Sequence, residues 1–203
     1  MHKEILTDEQ FGLLSLVKSF SGDFGLVGGT AIALYLGHRR SIDFDLFSLK
    51  EFDNSEIKRK ISEFSRIDHV IRDETNQFSS QIKGVRFTFL SFPYPIIFSE
   101  NFENIIKLPD LLTLAAMKAF TLGRRAKWKD YVDLYFVARH HNGIREICEK
   151  AREIFRGEFN EKLFRSQLAY FEDINYSETI IFMPGLETSD EKIKNDLIEF
   201  SLS

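Results

Sequence analysis

Apolar residues recur at helical spacing over residues 4–20, with Ile5, Phe11, Leu14, Val17 and Phe20 roughly on one face. Ser21-Gly22-Asp23 breaks that pattern, and Phe24 to Val27 is a short apolar run of strand character. Gly28-Gly29 ends the run, and a helix is expected from Thr30 to Leu36. After the turn Gly37-His38-Arg39-Arg40, residues 42–47 alternate strictly. Ile42, Phe44 and Leu46 are expected to face the core, with Asp43, Asp45 and Phe47 on the other side. A helix is expected over 53–64, capped by Asp53 or Asn54. Strand-like runs follow at 68–73, 78–83 and 85–92. Lys83-Gly84 marks a hairpin between the last two, and Pro93 and Pro95 end the third.

The period changes after residue 108. Pro109-Asp110 opens a helix over 111–122, with Gly123 as its stop. Further helices are expected at 128–141, 143–155, 161–171 and 190–200. The outline is an α+β fold: an α/β core over 1–108, then a helical region over 109–203 packed on it as one compact unit. No internal repeat, low-complexity stretch or flexible linker is visible.

Composition narrows the class. The 203 residues are 43% hydrophobic and 29% charged, enough apolar surface for a core and too much for global disorder. A formal net charge of -4 excludes a strongly basic protein held on nucleic acid by total charge, while leaving room for a local basic patch. The single cysteine, Cys148, excludes an internal disulfide and a cysteine-rich zinc site, and is expected as a small helix residue. No run approaches the roughly 18 apolar residues of a membrane span, and the N-terminus lacks an apolar signal segment. No membrane contact is expected, and the cytoplasm is the simplest compartment. The 21 phenylalanines are spread along the chain, as core filler is, and no motif gathers them into a base-stacking platform.

Asp43 and Asp45 are alternate residues of one expected strand and project from the same face. Two carboxylates that close repel one another, and a divalent cation removes the repulsion. Oxygen ligands of this kind suit Mg²⁺, which also takes substrate phosphates. Gly28-Gly29 lies at a strand-to-helix junction, where absent side chains let phosphate approach the backbone. Thr30 adds a hydroxyl there. A phosphate cradle beside a metal-binding carboxylate pair is what phosphoryl or nucleotidyl transfer requires.

A second cluster lies in the helical half. Lys118 sits late in a helix taken as amphipathic, with Leu111, Leu114, Ala115 and Phe120 apolar. Asp130 and Asp133 share a face of the next helix, and Arg124, Arg125, Lys127 and Lys129 lie between the two. Two readings stay open. Lys118 and the cluster hold a triphosphate, with Asp130 or Asp133 orienting them or the base; or the residues form a charged helix face of ion pairs, each well under ~1 kcal/mol. His38, a lone loop histidine, is expected exposed rather than catalytic, and His2, His69, His140 and His141 show no metal-ligand spacing.

Val27-Gly28-Gly29 followed by Asp43-Phe44-Asp45-Leu46 resembles the signature of the DNA polymerase β-like nucleotidyltransferase superfamily. Gly28-Gly29-Thr30-Ala31, with the run from Leu36 through Arg39-Arg40-Ser41 to Phe47, is similar to the AbiEii/AbiGii toxin family. Leu112 to Lys118, with Arg124 to Tyr135, resembles that family's lysine helix and its Lys-Asp-x-x-Asp-Leu helix. The resemblance implies a nucleotidyltransferase-like mixed β-sheet flanked by helices and followed by a helical bundle. It implies a Mg²⁺-dependent enzyme that moves a nucleotidyl group from an NTP to an acceptor hydroxyl. Asp43 and Asp45 would be the metal ligands and, with Lys118 and Asp130, the catalytic set. Gly28, Gly29, Thr30, Arg39, Ser41 and Lys118 would bind the nucleotide. In the toxin branch, found in toxin–antitoxin and phage-defence systems, the acceptor would be a tRNA 3′ end or another RNA, met by the basic segment 124–129. A small-molecule acceptor stays open, and a cognate antitoxin protein is implied as partner.

The chain departs from the superfamily at one place. A third carboxylate normally comes from a later strand, here Val85 to Leu90, where Thr88 occupies the matching position. No Asp or Glu occurs between Phe78 and Ser99. One firmly bound metal, substitution by Asp130, or loss of catalysis would each account for that. The last would leave a nucleotide- or protein-binding module on the same fold.

Overall fold

A computed structural model describes residues 1–122 and 124–203; the expected helix stop at Gly123 lies outside them. The chain divides into two compact units. The first comprises residues 1, 3–31 and 41–110, the second residues 2, 32–40 and 111–203.

In the first unit the N-terminal apolar pattern is not one helix. A 3₁₀ turn at Lys3–Ile5 precedes helices α1 (Asp8–Phe11) and α2 (Leu14–Ser19). The first of the two breaks has a local cause. The Thr7 hydroxyl accepts from the Gln10 N–H while the Gln10 side chain accepts from the Thr7 N–H, a reciprocal cap that starts a new helix. Then come β1 (Gly25–Val27), α3 (Gly28–Leu36), β2 (Asp43–Ser48), α4 (Asn54–Ser62), β3 (His69–Glu74), β4 (Gln77–Ile82) and β5 (Val85–Ser91). Two short strands without a sequence expectation follow, β6 (Glu100–Phe102) and β7 (Ile106–Leu108), which pair antiparallel. Asp53 caps α4 by accepting from the Ser55 N–H.

The five-stranded sheet has the order β1-β2-β5-β4-β3. β2 and β5 run parallel and the other neighbours antiparallel, so the sheet is mixed as expected. Ile82 pairs with Val85 across Lys83 (φ 50°) and Gly84 (φ 78°), the two left-handed residues of a tight hairpin. One face carries Leu26, Phe44, Leu46, Phe78, Phe87 and Phe89, all buried. Phe20 packs on them, its ring centroid 4.7 Å from that of Phe89. Each such ring contributes roughly 1.5–3 kcal/mol by leaving water. Ile42 does not join them. It precedes β2 and is 59% exposed, so the alternation holds only from Asp43 onward. The opposite face is polar, with Asp43 and Asp45 on β2, Arg86 and Thr88 on β5, and Ser79 and Gln81 on β4. β3 is exposed along its whole length, and its ladder to β4 slips between Val70 and Arg72.

The second unit holds the end of α3 and helices α5 (Leu111–Leu122), α6 (Trp128–His140), α7 (Arg145–Phe155), α8 (Glu161–Leu168) and α9 (Asp190–Leu202). α5 is not the amphipathic helix expected from the sequence. Thr113, Ala115, Ala116 and Lys118 are buried along with Leu111, Leu114 and Leu122, so it lies inside on almost every side. α6 is likewise central, and its buried residues include Asp130 and Asp133. α7 buries one stripe, Ile147, Cys148, Ala151, Ile154 and Phe155, which places Cys148 in a helix and in the core. Residues 169–189 form an irregular segment with isolated bridges from Asn175 to Lys127 and from Phe182 to Arg39. No helix among the described residues is long and apolar enough to cross a membrane.

Candidate active site

In the first unit the site grows from the junction of β1 and α3. Val27 pairs with Asp45, which brings the next residue, Gly28, beside the Asp45 side chain. Gly28 has φ +75°, and a Cβ there would lie 2.2 Å from Asp45 Oδ2. Glycine is therefore required twice, for its backbone angle and for the carboxylate that fills the space of the missing side chain. Asp43, two residues earlier on the same face, is half-buried like Asp45. The helix begins at Gly28, earlier than Thr30, so Gly28, Gly29 and Thr30 are its first turn.

Thr30 is buried, and its hydroxyl donates to the Asp43 carbonyl oxygen and hydrogen-bonds the Ser41 hydroxyl at 2.9 Å. Both hydroxyls thus tie the first turn of α3 to the start of β2. They hold Gly28 and Gly29 in place relative to Asp43 and Asp45.

Thr88 stands directly opposite Asp45 on the parallel neighbour β5, and Arg86 opposite Asp43. The Thr88 hydroxyl lies 3.3 Å from that of Ser79 on β4. The row across the sheet is thus carboxylate, hydroxyl, hydroxyl where a third acid was expected. Among the described residues no group of three or more His, Cys, Asp or Glu side chains is placed to hold a metal. Asp43 and Asp45, the latter with the bare Gly28 backbone beside it, would offer a pair of oxygen ligands and leave positions for phosphate and water. Mg²⁺ is bound in that manner, through one or two carboxylates plus substrate, so the residues present fit it.

In the second unit the charged residues of α5 and α6 converge with the loop after α3. Asp133 Oδ1 accepts from His38 Nε2 at 2.8 Å and from Arg39 Nε at 2.7 Å, and Oδ2 accepts from Arg39 Nη2 at 2.9 Å. Lys118 Nζ is 3.1 Å from Asp133 Oδ2 and bonds Asp130 Oδ1 directly. Arg125 Nε donates to Asp130 Oδ2 at 2.9 Å. His38, Asp130 and Asp133 are fully buried, Arg39 and Lys118 nearly so, while the Arg125 side chain is 48% exposed. His38 is therefore a buried residue, against the expectation of an exposed loop histidine.

Burial acts against every charge in this cluster, and pairing wins. Burial pushes the Asp133 carboxyl up, but Arg39 and Lys118 hold it well below the usual carboxylate range. Asp130 is lowered in the same way by Lys118 and Arg125. Arg39 and Lys118 are raised, since the attraction of the two aspartates outweighs their desolvation. His38 goes the other way: desolvation lowers it despite Asp133, so the ring is neutral and its Nε2–H is the donor.

The remaining basic residues are also paired. Arg124 stacks over the Phe120 ring at 4.2 Å and lies 3.9 Å from Glu158. Lys127 and Lys129 share Glu178. Sequence reasoning missed Glu178 and underrated His38, because both act through contacts with residues far along the chain.

Residues 14–108 match the family described as nucleotidyl transferase AbiEii toxin, type IV toxin–antitoxin system. That stretch belongs to the AbiEii family. This AbiEii chain is 30% identical over 204 residues to the Aquifex aeolicus protein aq_aa25, itself uncharacterized, covering 96% of the chain and 97% of that protein. Among solved structures, one of a candidate nucleotidyltransferase from Helicobacter pylori superimposes with a TM-score of 0.65 at 15% identity, covering 96% of this chain and 92% of that one. MenT4, a nucleotidyltransferase toxin of Mycobacterium tuberculosis, gives 0.58 at 14% identity, with 96% and 82% covered. JHP933 from Helicobacter pylori gives 0.58 at 14% identity, with 97% and 92% covered. The AbiEii chain has their nucleotidyltransferase fold, and its family makes it a nucleotidyltransferase.

Proposed function

We propose that this AbiEii chain transfers a nucleotidyl group from an NTP to a hydroxyl of an RNA acceptor, with Mg²⁺ held by Asp43 and Asp45. The observation that carries the reading is the Asp45 carboxylate seated on Gly28, with Asp43 beside it on the same sheet face. When bound, the ion supplies charge neutralisation on the transferring phosphate. Gly28 and Gly29 leave the backbone open to the phosphates, and Thr30 and Ser41 keep that turn fastened to β2. Lys118 and Asp130 are proposed as positioning residues. Asp130 aims the half-exposed Arg125 guanidinium, the group suited to meet a phosphate, and Lys118 balances Asp130 and Asp133 in the interior. Arg39 is fixed by Asp133 in the same way. A cognate antitoxin and a cytoplasmic site of action belong to the same proposal.

The test is incubation with each labelled NTP and total RNA, with and without Mg²⁺, for the native chain and Asp45→Asn. Labelled RNA that needs the ion and vanishes in the variant is the expected result. Thr88 in the place of a third acid favours a second reading, a nucleotide-binding module without turnover. NTP binding with no labelling of any RNA would decide for that one.

A further inference from the structure

The irregular segment after α8 lies across the start of α6, and both belong to the second unit. Its Asn175 N–H donates to the Ala126 carbonyl at 2.8 Å, and the Trp128 N–H donates back to the Asn175 carbonyl at 3.1 Å. Further on, the Arg40 N–H donates to the Ile181 carbonyl at 2.8 Å and the Met183 N–H to the His38 carbonyl at 3.1 Å. Glu178 sits between these two attachments. One carboxylate oxygen takes Lys127 Nζ at 2.6 Å and the other takes Lys129 Nζ. Burial pushes the Glu178 carboxyl up, but the two lysines hold it down at about 2.

An anion with two equivalent oxygens, each on its own ammonium, is also the description of a phosphodiester between two lysines. Aromatic surface adjoins it. The Tyr176 ring is 44% exposed and lies 5.4 Å from that of Trp128. The Lys194 ammonium stands over Trp128, Phe171 and Tyr176 at 5.5, 5.7 and 5.3 Å. Trp128 itself is buried, so the Tyr176 ring is the face on offer. Lysines on a backbone track beside an exposed aromatic face are the chemistry of single-stranded nucleic acid binding. The crossing segment is attached here through irregular backbone, so lifting it breaks no helix and no sheet.

We propose that Lys127 and Lys129 bind a phosphodiester of a single-stranded RNA acceptor, and that Glu178 occupies this site as an internal stand-in until RNA displaces it. The inference rests on the RNA-directed reading of function above. It also explains how an acidic chain carries an RNA site without holding every polyanion it meets.

The test reads binding alone, without NTP, so a failed transfer assay leaves it intact. A labelled single-stranded RNA of about ten nucleotides is titrated by fluorescence anisotropy across a salt series. Glu178→Gln should tighten binding about five- to tenfold by removing the competitor. In the Glu178→Gln background, Lys127→Gln with Lys129→Gln should abolish that gain. It should also flatten the salt slope by about 0.7, the value for one phosphate contact on a single strand. Unchanged or weaker binding by Glu178→Gln overturns the proposal, as does a gain that survives loss of both lysines. Inorganic triphosphate is the second probe; if it displaces RNA with the same lysine dependence, the site belongs to the donor and the proposal falls. Hydrogen exchange on the native chain needs no variant. RNA should speed exchange of the Asn175 and Met183 amides, and slower or unchanged exchange overturns the displacement.

Discussion

The Arg39 guanidinium grips both oxygens of Asp133, Nε at 2.7 Å and Nη2 at 2.9 Å, across a sequence separation of 94. This pair fastens the stretch after α3 to α6 within the second unit. Asp133→Asn keeps the shape and removes the charge, leaving Arg39 and Lys118 buried against one fewer carboxylate. The expected cost is about 3–5 kcal/mol, read as a lowered midpoint in urea. A midpoint unchanged from the native chain would show that the pair contributes nothing net.

The same cluster sets the response to pH. Asp133 and Asp130 are depressed in the folded chain, so their contribution is complete above the ordinary value of 3.8 and is lost as pH falls through their folded values. His38 is depressed below 6.5, so the unfolded chain takes up its proton first, and stability begins to fall below that point. Lys118 is raised above 10.5, so its contribution is present below that value and is lost as pH rises through the higher folded one. Melting temperature should form a plateau between these limits and fall in two stages on the acid side. His38→Gln should remove the earlier stage; a decline that still starts at the same pH would assign it elsewhere.

Gly28→Ala and Gly84→Ala separate two costs. Both glycines have positive φ, +75° and +78°, but nothing lies within 4 Å of a Cβ at Gly84. Gly84→Ala should lower stability by about 1 kcal/mol from backbone strain and leave nucleotidyl transfer intact. Gly28→Ala should cost more, about 2–4 kcal/mol, and abolish transfer by pushing Asp45 aside. Equal melting temperatures for the two variants would contradict the close approach at Asp45.

Thr88→Asp places a carboxylate in register with Asp45, at the position where the sequence resemblance implies a third acid. Mg²⁺ affinity should rise about tenfold, since site charge governs affinity for hard cations. Without the ion the variant should melt lower than the native chain, from the added repulsion. Calorimetric titration with MgCl₂ checks the first and a thermal scan in chelator the second.

The sheet was legible wherever local period decides structure. Asp43 to Phe47 alternates because β2 has one wet face, and Lys83-Gly84 announces its hairpin because both residues adopt left-handed angles. Ile42 was misread because it continues the alternation one position beyond the strand. The helix over 4–20 was misread because periodicity spans the break that Thr7 and Gln10 impose. β6 and β7 are three residues each, too short for a period to show. At the site, Gly28, Asp43 and Asp45 could be read because they lie near one another along the chain. Lys118, Asp130 and Asp133 could be read as one cluster because they lie on successive helices, but its extension to His38 and Arg39 could not, because tertiary packing alone brings those two to Asp133.

The slip in the ladder between Val70 and Arg72 reaches past the site altogether. β3 ends the five-stranded sheet with Val70 and Ile71 in water, a row that on a flat strand would template fibre growth from copy to copy. The slip interrupts the ladder there, and Arg72, Asp73 and Glu74 put charges along its continuation. An incoming strand loses register at Arg72 and meets both signs of charge beyond it. The chain thereby carries its own protection against aggregation at the rim farthest in strand order from β1.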